Sequence, residues 1–252
     1  MSSGNEKNTN QTTDRALILL NLFEDNVELG ISDIARLLDL KKATAARLVS
    51  SLEKYDFLHQ NPDNKKYRLG MKLVLLGNLA QSRYAIADEM FPEMQRLALK
   101  HNASATMMVM EGLNMRIIQK YDAGVIVNIS AQKGALLPAY ATASGKLVLA
   151  YSPRDVQENY FKFVQLTPLT EYTHTDKQAL QEEFALIRER GYSTDIDESV
   201  VGLYCISVPL FTKKGQIAAT VSLNFQSSLS EEKKQLMLQD LLETAKEFRR
   251  TH

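Results

Sequence analysis

The chain has 252 residues, 44% hydrophobic and 24% charged, the balance of a globular protein that buries a core without staples; its single cysteine excludes an internal disulfide and a CxxC metal knuckle. No apolar run approaches the roughly 18 residues that span a bilayer. The opening MSSGNEKNTNQTTD lacks the apolar stretch of a secretory leader, so the reading is a soluble, unexported, cytoplasmic chain with a disordered tail over residues 1–11.

The formal net charge is zero, yet residues 41–72 hold eight Lys and Arg against three Asp and Glu, an excess of five positive charges balanced elsewhere. Such asymmetry points either to a polyanion bound at one end or to a solvated basic face. From residue 14, RALILLNLF sets Leu17, Leu20 and either Ile18 or Leu22 on one stripe, which predicts a helix to about residue 24. ISDIARLLDL opens a second helix with Ser32 as N-cap, Asp33 in the first turn, and Ile34, Ala35 and Leu38 as the buried face. A third runs from about 42 to 55, with Leu48, Leu52 and Tyr55 inward and Lys42, Thr44, Arg47, Ser50 and Ser51 outward. Short side chains among basic ones let a helix approach a phosphate-lined groove while Arg or Thr reaches base edges.

FLHQNPDNKKYRLG then reads as strands 57–60 and 66–69, joined by the turn NPDN and tipped by Lys65 and Lys66. Three short helices and a basic hairpin make a winged helix-turn-helix, whose third helix enters the major groove while the wing holds phosphates. The candidate DNA-binding residues are Lys41, Lys42, Thr44, Arg47, Ser51, Lys65 and Lys66.

Beyond a helix over about 84–100, entered or kinked near Pro92, the segments SATMMVME, MRIIQKYD and VIVNIS have the length and spacing of an antiparallel meander. Helices follow at about 143–151, 153–161, 176–190 and 230–249. The last two carry the stripes Leu180, Phe184, Ile187 and Leu236, Leu241, Phe248, expected to cover the sheet. If TKKG is a four-residue hairpin loop, Phe211 pairs with Gln216, Ile206 with Val221, Cys205 with Ser222 and Ser207 with Thr220. Alternation then puts Ile206, Val208, Leu210, Ile217, Ala219, Val221 and Leu223 on an apolar face. Cys205, Ser207, Ala218, Thr220, Ser222 and Asn224 fall on a small polar one. The polar face either lines a pocket for a polar metabolite or meets solvent.

ATASGK, residues 141–146, joins small residues to a helix start, where free backbone N–H groups suit a carboxylate or phosphate; Tyr140 and Leu147 break both ends of a Walker motif. Catalytic readings fare poorly. None of His59, His101, His174 and His252 is placed beside Cys205 as a base, there is no HExxH, and Ser144 and Lys146 miss the SxxK spacing. No catalytic residue, metal or cofactor is expected; a small-acid-metabolising enzyme using Cys205 is the competing reading.

The run TTDRALILLNLF, followed by ISDIARLLDLKKATAARLVSSLEKYDFLHQNPDNKKYRLGMKLVLLG, resembles the N-terminal domain of the IclR-type bacterial transcriptional regulators. LPAYATASGKLVLAY and GYSTDIDESVVGLYCISVPLF resemble later segments of the same family, in the same order, so the match covers nearly the whole chain. The resemblance implies a cytoplasmic dimer or tetramer with a GAF-like C-terminal domain that binds a small metabolite. It also implies effector contacts at Ile129, Leu137, Ala143, Ser144, Asp195, Leu203, Cys205 and Ser222, with Asp195 either bonding a ligand hydroxyl or serving as an ordinary acidic surface residue. This chain departs from the family in two places. Asp39 stands where a small residue or Gly is usual, and Lys41, Lys42, Ala43, Thr44 stand where the family has Pro-Lys-Ser-Thr, removing a Ser cap or phosphate contact that Lys41 offsets electrostatically.

The expected fold is α+β: a winged helix-turn-helix over 12–72, linker helices over 73–100 and a GAF-like antiparallel-sheet domain flanked by helices over 101–252. The expected function is a repressor of a catabolic or transport operon, with an activator of the same family as the alternative. Its partners are double-stranded DNA with a palindromic operator, a second copy or more of itself, and a small effector, a carboxylate or sugar acid; no membrane partner is expected.

Overall fold

In the computed structural model, which describes residues 10–81, 85–123 and 131–252, Asn10 opens the first helix by accepting from the Thr12 and Thr13 N–H groups at 3.0 and 3.3 Å. That cap starts α1 (Gln11–Asn21) before the predicted position; Leu19 and Phe23 enter the core with Leu20 and Leu22 packed beside them, while the expected Leu17 is exposed. The chain divides into two units, Met1–Arg83 and Tyr84–His252.

In the first unit α2 (Ile31–Leu37) is entered through Gly30 rather than Ser32. The Asp33 side chain reaches back to accept from the Gly30 N–H at 3.2 Å, so the acid expected only to face the helix dipole also ties down the entry. Asp39 takes the turn to α3 (Lys42–Lys54) at φ 51°, the left-handed conformation that Asp tolerates better than most residues. Ala45, Leu48 and Val49 are buried, whereas Tyr55 lies past the last helical turn and is exposed. The wing is an antiparallel hairpin, β1 (Leu58–Gln60) and β2 (Tyr67–Leu69), and Leu29 adds a bridge to the outer side of Tyr67. α4 (Met71–Gln81) follows, with an apolar sequence and exposed Met71, Val74, Leu75 and Leu76.

The second unit is built on a six-stranded antiparallel sheet ordered β5-β4-β3-β8-β7-β6. Its strands are β3 (Ser104–Glu111), β4 (Asn114–Asp122), β5 (Leu136–Pro138), β6 (Ser193–Ile196), β7 (Leu203–Phe211) and β8 (Ile217–Gln226). The expected strand VIVNIS falls within residues outside the described set. α5 (Ala85–His101), which keeps Pro92 inside it, buries Met90, Met94, Leu97 and Ala98 against one face of the sheet. α9 (Glu231–Thr251) joins it there through Met237 and the expected Leu241 and Phe248; Leu236 is exposed, and Met237 takes its place. The other face receives α6 (Ala143–Tyr151). α8 (Lys177–Arg190) brings Leu180, Phe184 and Ile187 to the same cluster but packs chiefly on α6 rather than on the strands, and α7 (Arg154–Phe163) flanks them. Among the described residues no helix is long and apolar enough to cross a membrane.

The β7–β8 register differs from the expected one. Cys205 pairs with Asn224, Ile206 with Leu223 and Ser207 with Ser222. Phe211 pairs with Ile217, so the turn takes in Gln216, and an irregularity between Leu210 and Phe211 adds a second residue on β8. A slip of two leaves each strand's alternation intact. Ile206, Val208, Leu210, Ala219, Val221 and Leu223 therefore still enter the apolar cluster. Ala218, at the bulge, packs on that cluster instead of joining the polar face.

α6 approaches the backbone ahead of it very closely. A Cβ built on Gly145 would stand 2.1 Å from the Ala139 carbonyl oxygen and 2.4 Å from its Cα, both backbone atoms that cannot swing away. Gly145→Ala should therefore destabilise the second unit by about 1–3 kcal/mol, as overpacking does, read as a lower midpoint in thermal melts followed by circular dichroism; an unchanged midpoint would show that the helix can lift without cost.

Candidate functional site

Two surfaces carry the candidate residues, one in each unit. In the first, α3 presents Lys42, Arg47, Ser50 and Ser51 to solvent, with Thr44 half-buried. Lys41 is the helix N-cap; its side chain makes no cap bond, and its backbone carbonyl accepts from the Thr44 and Ala45 N–H groups at 2.8 and 3.1 Å. Lys65 and Lys66 are exposed at the wing tip. Arg68, opposite His59 in the hairpin, is exposed as well and extends this positive strip. Sequence reasoning passed over it because it sits within a strand; the alternation Lys66-Tyr67-Arg68 around the buried Tyr67 was the available signal.

In the second unit a cavity of about 130 Å³ lies between the first turn of α6 and the sheet face opposite α5 and α9. Of the eight residues implied as effector contacts, Leu137, Ala143, Ser144, Asp195, Leu203 and Cys205 meet at this cavity. Ile129 falls outside the described residues, and Ser222 does not line the space. Thr106, Met108, Ile117, Leu169, Val200 and Asn224 complete much of the wall; Thr106, Met108 and Ile117 lie on strands expected from the sequence whose two faces were not assigned there. Thr106 and Met108 were legible in principle, as alternate positions of SATMMVME.

The polar sheet face is spent largely on itself. Ser144 Oγ lies 3.1 Å from Ser207 Oγ and 2.9 Å from Ser222 Oγ, and those two are 2.9 Å apart, so three buried hydroxyls close a ring between α6 and the sheet. Neither of the expected alternatives, pocket or solvent, describes Ser207 and Ser222; both lie under the helix. Asn224 donates to the Ser104 carbonyl and to Thr106 Oγ1 at 3.2 and 3.1 Å. What faces the cavity is mostly apolar; its polar lining residues are Thr106, Asp195, Ser199 and Asn224, with Thr142 and Ser144 at the start of α6. There Thr142 caps the helix by accepting from the Gly145 N–H at 3.1 Å, and the preceding amides, Ala143 and Ser144, have no intrahelical acceptor.

Cys205 pairs across β7 with Asp195 on one side and Asn224 on the other. Burial, with the Asp195 charge beside it, pushes the thiol far above its ordinary value, so it stays protonated and is a poor nucleophile. Asp195 is 2% exposed, and its carboxylate is occupied within its own turn. Oδ1 accepts from the Glu198 and Ser199 N–H groups at 2.9 and 3.2 Å, and Oδ2 accepts from the Ser199 hydroxyl at 2.5 Å. It is thus no acidic surface residue, and both of its oxygens already accept bonds within the turn. Burial pushes its carboxyl up to about 6, against the pull of the Ser199 hydroxyl.

The same turn carries Glu198, which pairs with the fully buried Lys146 of α6. Glu183 stands 3.9 Å from the same ammonium and is itself held by Arg190 at 2.8 Å. The second Glu198 oxygen, Oε2, has no hydrogen-bond partner among the described residues. Burial raises the Glu198 carboxyl and the Lys146 charge opposes it. From outside, Thr170 donates to the Asp197 carbonyl at 2.7 Å and Thr173 to the Glu198 carbonyl at 2.6 Å, tying the loop that bears Leu169 to the loop that bears Val200.

Two family models match the chain: the IclR helix-turn-helix domain over residues 12–62 and the bacterial transcriptional regulator IclR C-terminal domain over residues 79–250. Among curated relatives, the HTH-type transcriptional regulator XynR of Escherichia coli K12 is 31% identical over 86% of this chain and 87% of its own. The DNA-binding transcriptional repressor YiaJ of the same organism is 28% identical over 93% and 85%. Among solved structures, the Thermotoga maritima IclR superposes with a TM-score of 0.83 at 28% identity, covering 95% of this chain and 98% of that one. An IclR homolog from Microbacterium hydrocarbonoxydans, complexed with 4-hydroxybenzoate, does so with a TM-score of 0.79 at 25% identity, covering 94% and 97%.

The raised Asp195 carboxyl carries a sign for stability. A group whose folded-state value lies above its unfolded value of about 4 stabilises fully below that value and loses its contribution as pH rises through about 6. The wild-type chain should lose about 2–3 kcal/mol more between pH 4 and pH 7 than Asp195→Asn, whose amide can keep the turn's bonds. Parallel melting curves for the two proteins across that range would contradict it.

Proposed function

Because the chain belongs to the IclR family of bacterial transcriptional regulators, we propose that it is a cytoplasmic repressor of a catabolic or transport operon, released from its operator by a compact carboxylate held in the second unit. DNA-binding regulation, rather than enzymatic turnover, is the business of the family, and the un-ionised Cys205 thiol agrees with that. The observation that carries the finer reading is the pairing of an exposed basic helix and wing in one unit with a mostly apolar cavity beneath a helix N-terminus in the other.

At the DNA end, Arg47 and Thr44 read bases, with Lys41, Lys42 and Ser51 on phosphates flanking the groove and Lys65 and Lys66 on the backbone beside it. The exposed apolar side chains Met71, Val74, Leu75 and Leu76 of α4 would be covered by a second copy, giving two recognition helices for a palindromic site. The repressor sense is supported by the name of the YiaJ relative.

At the effector end, the amides of Ala143 and Ser144 offer a carboxylate two donors at the positive end of α6. Met108, Ile117, Leu137 and Leu203 supply the walls. A cavity of about 130 Å³ approaches the roughly 150 Å³ that accommodates benzene, which favours an acid of about that size. The ring of serine hydroxyls that would favour a sugar acid is closed on itself, so a short, partly apolar acid fits better. Such a ligand shifts the DNA-binding equilibrium only by its difference in affinity for the two arrangements.

The test is a salt-titrated gel shift on the duplex that the wild-type chain recovers from a random-sequence library. Arg47→Ala should weaken binding by about 1–3 kcal/mol and relax one position of the site, while Lys66→Ala should weaken all sequences alike and flatten the salt dependence by about one contact. Unchanged binding by both variants would sink the assignment of α3 and the wing. For the effector, a thermal-shift screen of short aliphatic, aromatic and sugar acids should give hits that raise the midpoint and release the duplex. Cys205→Ser should leave folding and DNA affinity nearly intact while altering the response to those hits; a response identical to wild type would move the ligand elsewhere.

A further inference from the structure

One side chain outside the wing fastens the wing's turn. Leu29, in the segment between α1 and α2, exchanges two backbone bonds with Tyr67 at 3.0 and 2.8 Å, which seats the preceding residue, Glu28, against the turn at 61–64. Glu28 Oε1 accepts from Asn61 Nδ2 at 3.0 Å and Oε2 accepts from Asn64 Nδ2 at 2.6 Å. The same two asparagines use their oxygens inside the turn, Asn61 accepting from the Asp63 N–H at 3.0 Å and Asn64 from the Lys66 N–H at 2.9 Å. Both ends of both amides are therefore engaged, with Glu28 as the outer anchor. Next in the chain, Lys65 stands at φ 59°, a left-handed conformation uncommon for a residue other than glycine.

The charge makes this placement informative. The two amide bonds, assisted by Arg68 and Lys66, hold the Glu28 carboxyl below its ordinary value, so it is anionic at neutral pH, on the surface that must meet a polyanion. A carboxylate there repels phosphate. What it contributes to DNA binding must then come through its bonds.

We propose that Glu28 is a positioning residue for DNA binding: by bridging Asn61 and Asn64 it fixes the turn so that Lys65 and Lys66 are presented together to the phosphate backbone. The inference rests on the reading that the wing touches phosphate.

The experiment measures affinity of the full chain for its library-selected duplex across a salt series. Lys65→Ala/Lys66→Ala is the reference, and it should reduce the slope of log K against log salt by about 1–2. Glu28→Ala should weaken binding about 3–10-fold near 0.1 M salt and remove much of the same slope. Added to the lysine pair it should change nothing further, since it acts through them. Asn64→Ala and Asn61→Ala each break one bond to Glu28 without altering the charge count, and only the first also removes the acceptor of the Lys66 N–H; both should repeat the loss, and they serve if Glu28→Ala fails to fold. Hydrogen exchange should quicken at the Lys65 and Lys66 amides in all three variants. Tighter binding with a steeper slope in Glu28→Ala would make Glu28 a repulsive charge only, and overturn the proposal. So would a slope that stays at the wild-type value in Glu28→Ala while the lysine pair flattens it. A lysine pair that leaves the slope unchanged would remove the wing contact itself, and the latch with it.

Discussion

The distance between α6 and the backbone at Ala139 sets the geometry of the second unit. Only a residue without a side chain permits it at Gly145, and its two neighbours then act in opposite directions. Ser144 reaches down to hydroxyls on β7 and β8. Lys146 reaches out to Glu198 on the loop between β6 and β7. Three consecutive residues thus fix the helix to the sheet, to its own approach and to the far wall of the cavity. Lifting the helix by the width of a methyl group would disturb all three at once, because interiors are packed too tightly to absorb it locally.

That arrangement explains why so much polarity is buried in a site whose walls are largely apolar. A buried ion pair is weak evidence for stability, since two desolvated charges repay little more than they cost. Here Lys146 and Glu198 join elements distant in sequence, and Asp195 orders from within the turn that bears Glu198. The polar groups hold the walls in place, and few of them remain open toward the cavity. A ligand entering such a space meets a pre-formed surface and forfeits little affinity to ordering it.

Much of this was legible from the sequence, and the failures have physical causes. Most helices and the strands β3, β4, β7 and β8 followed from periodicity, the short strands β5 and β6 did not, and the two faces of the β7–β8 hairpin were sorted correctly except at the bulge. Local capping escaped detection: Asn10 starts α1 and the Asp33 carboxylate fastens the entry of α2 at Gly30 through side-chain bonds that apolar periodicity does not report. Tyr55 and Leu236 fit a helical stripe but sit where the packing partner is absent. The closure of the serine ring was invisible because strand alternation reports which face a side chain takes and says nothing of what covers that face. Asp195 was found as a cavity residue, but its bonds run to the turn only three and four residues on, a detail that no residue pattern encodes.

The hairpin's register has a consequence for how such chains can diverge. Relative to a minimal turn, β8 carries one extra residue in the loop and one in the bulge, and together they amount to a full period of the strand. Relatives can therefore gain or lose turn residues in pairs without exchanging the lining of the cavity for the lining of the core. A single insertion must be matched by gaining or losing a bulge, so across descendants loop length and bulge should change as one inherited unit while the residues facing the ligand stay in phase.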